Sequence, residues 1–368
     1  MSFKPDASPL SLPALRPEVA SLPAYVPGVR AQTLDTAALA SNESHFNPLP
    51  SVRQAVFGAA ATMNRYPDAA SVALRARLAQ HLEATPDEIV VGAGSLGVLS
   101  QIMSAYCRPG DEVIFPWRSF EAYPLVVQLA GATSVPVPLR PDESHDLDGI
   151  LAAITNRTRV IIICTPNNPT GVPVPHAELA KFLESVRSDV LVIIDEAYIE
   201  YATAKDTANS LALYRQHPNV CLLRTFSKAY GLAGLRIGYA LATPGIAEGL
   251  RKAGLPFSVS ALAQQAAITS LDARAEMLTR VQAVVCERER ILLSLRSAGY
   301  DIPDSQANFL WLRCGDETRV PLEERFQSAG ILVRGYARDG IRISVADAEA
   351  NNRVINLLAA QATGAVSC

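Results

Sequence analysis

The sequence predicts an α/β protein: a largely parallel sheet covered by helices on both faces, with a smaller α+β domain after it. Three observations predict this. From residue 88 to 239, short apolar runs alternate with segments of helical period. Those runs are continuously apolar instead of alternating with polar residues, as strands buried on both faces require. Beyond Tyr239 the texture changes to a long stretch rich in Ala, Glu, Arg and Leu, followed by a few short strand-like segments.

The elements follow in order. The first thirty residues carry Pro5, Pro9, Pro13 and Pro17 and keep no helical period, so residues 1–30 read as an extended arm that gains structure by lying on something else. Residues 88–91 read as a strand, and Leu96, Leu99, Ile102, Met103 and Tyr106 then fall at helical spacing. Further strands are expected at 112–115, 133–137, 159–164, 190–194 and 220–224, with a helix at 176–186. A long helical stretch covers 261–299, strands are expected at 308–312 and 341–345, and a helix at 322–329. The expected division is an arm (1–30), a large domain (31–245) and a small C-terminal domain (246–368).

Composition excludes several classes. With 49% apolar and 19% charged residues, the 368-residue chain can build a sizeable core and is too apolar to be disordered. A net charge of −3 and the lack of any dense Lys/Arg run argue against a nucleic-acid partner. The longest apolar runs, 160–164 and 190–194, fall far short of the ~20 residues of a membrane span. The six cysteines are scattered without a C-x-x-C pair, so neither a disulfide framework nor a zinc site is expected. Prolines interrupt the N-terminus where a secretory leader would be apolar, and a cytoplasmic enzyme is the expectation.

Four constellations carry chemistry. Gly92-Ala-Gly-Ser-Leu-Gly97 follows a strand and opens a helix, so its backbone amides could hold phosphate. The next strand ends in Phe115-Pro-Trp-Arg118 without the acid that a dinucleotide ribose wants, and Ala93 breaks the nucleophile-elbow pattern of hydrolases. Thr165-Pro-Asn-Asn-Pro-Thr-Gly171 could be an ordinary turn, yet it sits at a strand's carboxyl end, where open α/β sheets bind ligands. Asp195-Glu-Ala-Tyr198 follows five apolar residues, and a carboxylate there often just caps a helix. Ser227-Lys-Ala-Tyr-Gly-Leu-Ala-Gly-Leu-Arg236 is a glycine-punctuated loop beyond another strand. Gly94, Asn168, Asp195 and Lys228 thus all lie just past strand ends. Repetition outweighs the bland readings.

Together these groups ask for a ligand with a phosphate, a basic ring nitrogen, a phenolic oxygen and a carbonyl that lysine can attack. Pyridoxal 5′-phosphate has all four.

The ordered motifs Pro23-Ala-Tyr-Val-Pro-Gly28, Ser41-Asn-Glu43, Arg65-Tyr-Pro-Asp68, Pro166-Asn-Asn-Pro-Thr-Gly171, Asp195-Glu-Ala-Tyr198, Ser227-Lys228, Leu232-Ala-Gly-Leu-Arg236 and Gly340-Ile-Arg-Ile343 span nearly the whole chain. In them the chain resembles the fold-type I pyridoxal-phosphate aminotransferases of the histidinol-phosphate aminotransferase-like group. The resemblance implies that Lys228 is the Schiff-base lysine and proton shuttle, and that Asp195 partners the pyridine nitrogen. It makes Asn168 and Tyr198 the partners of the phenolic oxygen, and Phe120 the ring stacked on the pyridine. Ala93, Gly94, Ser95, Ser227 and Arg236 match the phosphate cup. Tyr66 resembles the tyrosine that reaches the phosphate from a neighbouring subunit, which implies a homodimer with shared sites. Arg342 matches the arginine that grips the substrate α-carboxylate.

Histidinol-phosphate enzymes usually carry an acidic pair after the phosphate-cup glycine, where this chain has Ser95-Leu-Gly-Val98. The segment Trp117-Arg-Ser-Phe-Glu-Ala-Tyr-Pro124 instead resembles the aromatic amino acid (phenylalanine) aminotransferases of the group. The expected reaction is transamination of an aromatic L-amino acid with 2-oxoglutarate. Trp117, Phe120, Tyr123, Tyr25 and Tyr336 are candidates for an aromatic-lined pocket. Arg334 lies near the position of a phosphate-binding arginine, or could take the distal carboxylate of 2-oxoglutarate, so histidinol phosphate is the alternative substrate. A decarboxylase or lyase on the same scaffold is a further alternative. A transcription regulator would need a helix-turn-helix, which the proline-rich arm cannot supply.

Overall fold

The structure, a computed structural model, describes residues 13–22 and 35–364, so the expectations for the rest of the arm, Tyr25 included, lie outside the described residues. Within the arm, Pro17–Ala20 forms a single helical turn instead of extended chain. It is fastened to this chain's own helix Ala122–Leu129, where Gln128 Nε2 donates to the Glu18 carbonyl at 2.8 Å and Arg16 Nη2 to that of Leu129 at 3.0 Å.

A two-residue strand, β1 (Ala37–Ala38), comes first. The large sheet follows, built from β2 (Ile89–Gly92), β3 (Glu112–Trp117), β4 (Thr133–Pro138), β5 (Thr158–Cys164), β6 (Leu191–Asp195), β7 (Val220–Thr225) and β8 (Gly238–Leu241). Its order is β2-β8-β7-β6-β5-β3-β4, and β8 alone runs antiparallel to its neighbours. The mainly parallel sheet is the one expected; β8, four residues behind a tight turn at Ala233–Leu235, is an addition to it.

Burial on both faces accounts for the unbroken apolar runs. Ile161 and Ile163 of β5 enter one core cluster with Val192 and Ile194 of β6, while Val160 and Ile162 enter the other with Ile193. The helix Gly94–Tyr106 supplies Val98, Leu99, Ile102 and Met103 to this second cluster, four apolar side chains on one helical stripe.

The C-terminal part has a three-stranded antiparallel sheet, β11-β12-β9, from β9 (Phe309–Arg313), β11 (Arg334–Tyr336) and β12 (Gly340–Ser344). β10 (Ile331–Leu332) pairs instead with β1, tying the chain's start to its end. The long stretch expected at 261–299 is two helices, Ala261–Asp272 and Arg274–Ser297, interrupted at Ala273. The helix expected at 322–329 begins earlier, as Asp316–Ser328, with Pro321 inside it. Helix Pro244–Ala253, which straddles residue 245, and helix Ala261–Asp272 beyond it both pack on the large body, the first against Gly94–Tyr106 and the second against Pro50–Ala60 and Val72–Leu82. Among the described residues, no helix is long and apolar enough to cross a membrane.

The two parts are clasped beside the small sheet. Arg118, just after β3, donates through Nε to Asp339 Oδ2 at 2.7 Å, and its guanidinium lies 4.5 Å from the Trp117 ring and 5.5 Å from that of Tyr336.

Candidate active site

The carboxyl ends of β5, β6 and β7 open on one cleft of about 670 Å³, with the start of helix Gly94–Tyr106 on one side and β11 and β12 on the other. Asn168, Asp195, Tyr198, Ser227, Lys228, Arg236, Arg334, Arg342, Ser95 and Phe120 all line it. Residues from four separate strand ends therefore do converge.

Two glycines set the end of the cleft beside Arg236. Gly94 sits at φ +77°, and a Cβ there would lie 2.4 Å from Arg236 Nη2. At Gly238 a Cβ would lie 2.3 Å from the Ser95 backbone nitrogen, so β8 and the helix start meet backbone to backbone. Arg236 is itself left-handed at φ +53°, with Nη1 donating to the Ala233 carbonyl at 3.1 Å and reaching Ser227 Oγ at 3.5 Å. Cation, hydroxyl and helix N-terminus thus face one spot. That is what a phosphate needs. Ala93 and Gly94 shape this turn from behind, and Ser95 is the member that lines the cleft.

Asp195 closes β6 and is buried. Tyr123 donates its hydroxyl to Oδ2 at 2.7 Å, while Oδ1 is buried with no hydrogen-bond partner among the described residues. Burial raises the carboxyl pKa to about 6, against the Tyr123 bond that holds it down. An orphaned carboxylate oxygen facing a cleft is suited to a protonated ring nitrogen.

Lys228 lies three residues past β7, and its Nζ donates to the Ser41 carbonyl at 3.0 Å, 5.9 Å from the Tyr198 ring centroid. Burial, then the nearby Arg342, lowers its pKa to about 7. A neutral amine is the form that attacks a carbonyl. The Tyr198 hydroxyl accepts from Asn42 Nδ2 at 3.1 Å, and burial raises this phenol well above its ordinary value.

Arg342 is 7% exposed, not a solvated strand arginine. Nη1 donates to Asn168 Oδ1 and Nη2 to the Ala40 carbonyl, both at 2.6 Å, and Nε is buried with no partner among the described residues. Arg334 is its register partner across β11 and β12. Its Nη2 reaches both oxygens of Glu121, at 3.0 and 3.2 Å.

The expected aromatic pocket is corrected in part. Phe120 lines the cleft, edge-on to Tyr123 at 5.6 Å. Tyr123 is fully buried behind it and serves Asp195; Trp117 faces a separate cavity with Arg118; Tyr336 is buried against Trp311. Tyr66 is 83% exposed, stacked near Phe257, and does not line this chain's own cleft. Sequence reasoning assigned no role to Asn42, although the Ser41-Asn-Glu43 motif was visible. Asn42 sits at φ +54° and is pinned by Ser344 Oγ, which accepts from its N–H and donates to its Oδ1, both at 2.9 Å.

The orphaned Asp195 oxygen, the amine-bearing Lys228 and the cationic cup at Arg236 together fit pyridoxal 5′-phosphate. Fold and site define a fold-type I pyridoxal-phosphate enzyme acting on amino groups. The chain belongs to the class I and II aminotransferases, whose family description matches residues 35–358. It is 49% identical to an aromatic amino acid aminotransferase of Streptomyces avermitilis, over 92% of this chain and 95% of that one. It is 50% identical to an aromatic amino acid aminotransferase of Rhodococcus jostii, over 92% and 94%. The solved structure of histidinol-phosphate aminotransferase from Sinorhizobium meliloti in complex with pyridoxal 5′-phosphate superposes with a TM-score of 0.85, covering 98% of this chain and 100% of that one at 31% identity.

Proposed function

We propose that this aminotransferase moves the amino group of an aromatic L-amino acid (phenylalanine, tyrosine or tryptophan) to 2-oxoglutarate, giving the aromatic 2-oxo acid and L-glutamate. The observation that carries this reading is a buried Arg342 in a cleft walled by Leu96 and Phe120, a carboxylate anchor beside apolar surface. The relatives named above, at about half identity along nearly the full chain, support the same substrate class.

Pyridoxal 5′-phosphate, when bound, supplies a carbonyl that exchanges amines and a ring that takes up electron density. The chain's residues divide the remaining work. Arg236, Ser227, Ser95 and the Ala93-Gly94 turn hold phosphate, with Tyr66 contributing to the cup of a neighbouring subunit in a homodimer. Asp195 holds the charge at the ring nitrogen, Phe120 covers the ring face, and Asn168 and Tyr198 orient the phenolic oxygen. Lys228 Nζ would hold the cofactor at its carbonyl group and would carry the proton to and from the substrate Cα. Arg342 grips the α-carboxylate. Tyr25 and Arg334 complete the substrate side.

The chain divides into a large body (31–245) and a small C-terminal part (246–368), with helices Pro244–Ala253 and Ala261–Asp272 lying on the large body. A cytoplasmic setting belongs to the same reading.

A half-reaction panel tests the reading. Conversion of the enzyme's carbonyl cofactor to its amine form is followed with phenylalanine, tyrosine, histidinol phosphate, aspartate and threonine phosphate. Phenylalanine or tyrosine should convert it fastest. A preference for histidinol phosphate would sink the aromatic reading.

A further inference from the structure

Two arginines stand side by side at the substrate end of the cleft, and one of them, Arg334, carries a carboxylate partner. Arg334 and Arg342 are directly opposed on antiparallel β11 and β12, which sets their side chains on one face. Arg342 spends two nitrogens on neutral acceptors, Asn168 Oδ1 and the Ala40 carbonyl, so its positive charge is uncompensated by that shell. Arg334 faces Glu121, whose two oxygens share one Nη2 at 3.0 and 3.2 Å. Glu121 comes from the large body, immediately before helix Ala122–Leu129, and itself lines the cleft. The pair is partly shielded, with 19% of the Arg334 side chain and 35% of the Glu121 side chain exposed.

Among these three groups, two guanidinium groups and one carboxylate sum to a single positive charge. That matches a carboxylate. A phosphate monoester, with close to two negative charges, would need both arginines and would bring its charge against Glu121, where repulsion acts in a medium less screening than water.

We infer that Glu121 is a specificity-determining residue that neutralises Arg334, so that the anion subsite accepts a carboxylate and rejects a phosphate monoester. This rests on the proposed role of Arg342 as the carboxylate anchor. It assigns the discrimination to a residue of the large body, though both arginines belong to the small sheet.

Two ring-matched ligand pairs test it on the holoenzyme. The first is 3-phenylpropionate against 2-phenylethyl phosphate, measured as dissociation constants by calorimetry. The second is histidine against histidinol phosphate, measured as half-reaction kcat/KM. Glu121→Gln keeps the size and much of the hydrogen bonding of the side chain and removes its charge. In both pairs it should shift the ratio toward phosphate by about tenfold, the size of one charge-assisted hydrogen bond. Adding Arg334→Gln should cancel that shift. A ratio left unmoved by Glu121→Gln, or equal weakening of both members of each pair, overturns the proposal and leaves Glu121 a structural tie. If wild type takes neither phenyl ligand but uses the imidazole pair, the aromatic reading fails, and the charge gate is still decided by the imidazole ratio.

Discussion

The hydroxyl of Tyr123 donates to Asp195 Oδ2 at 2.7 Å from within the core, and this is the one side-chain hydrogen bond described for that carboxylate. The bond favours the ionised form of a carboxyl that burial drives toward neutrality, with a pKa raised to about 6.

Tyr123→Phe keeps the ring in its place and removes the bond. With desolvation less opposed, the Asp195 pKa moves further up, and less of the group is ionised near neutral pH. The half-reaction rate should fall by about tenfold, the loss of one hydrogen bond to a charged group. The loss should be larger at acid pH and recover as pH rises, because ionisation of Asp195 is what the bond assists. A rate–pH profile checks this; a loss of equal size at every pH would sink the argument.

Lys228 makes a prediction for protein stripped of cofactor. Its folded-state pKa is lowered to about 7 from 10.5. Between those values the unfolded chain binds more protons than the folded one, so this group's contribution to stability improves as pH rises through that window. Below the folded value the full penalty of a buried ammonium is present. In Lys228→Met the penalty is absent, so apo variant should exceed apo wild type in thermal midpoint near neutrality, and the gap should close toward pH 10.5. Melts of both apo proteins across that range decide it. A gap independent of pH would contradict the lowered pKa.

These relationships mark where reading the sequence stops. The strand ends were legible because each is an unbroken apolar run with a polar residue at its exit, as at Asp195 after four buried residues of β6. The fold class and the convergence of Asn168, Asp195 and Lys228 follow from that regularity. Arg334 and Glu121 lie 213 residues apart and Tyr123 and Asp195 72 apart, and no local period records such pairs. Tyr123 reads as a pocket wall from its apolar neighbours; only the packing of its helix against the sheet turns the hydroxyl toward Asp195. β8 is hidden for another reason. At four residues beginning with Gly238, it has too little β-branched character to stand out, and its place in the sheet is set by a backbone contact.

That contact yields the last prediction. Gly238 pairs with Gly92 of β2 and with Thr225 of β7, so its position in the sheet is held from both sides. An added Cβ would lie 2.3 Å from Ser95 N and 2.6 Å from Gly94 C, both backbone atoms, so no side-chain rotation can relieve the clash. The start of helix Gly94–Tyr106 must move instead, shifting the Gly94–Ser95 backbone that stands beside Arg236. Gly238→Ala should therefore cost about 1–3 kcal/mol of stability by overpacking. It should also weaken cofactor binding by more than a purely global loss would, because the displaced atoms belong to the proposed phosphate cup. Gly249→Ala is the control: that glycine lies in helix Pro244–Ala253 with nothing within 4 Å of an added Cβ, so stability should hold or rise slightly. Denaturant melts and cofactor titrations of the two variants separate the effects. Wild-type cofactor affinity in Gly238→Ala would mean that the glycine serves the sheet alone.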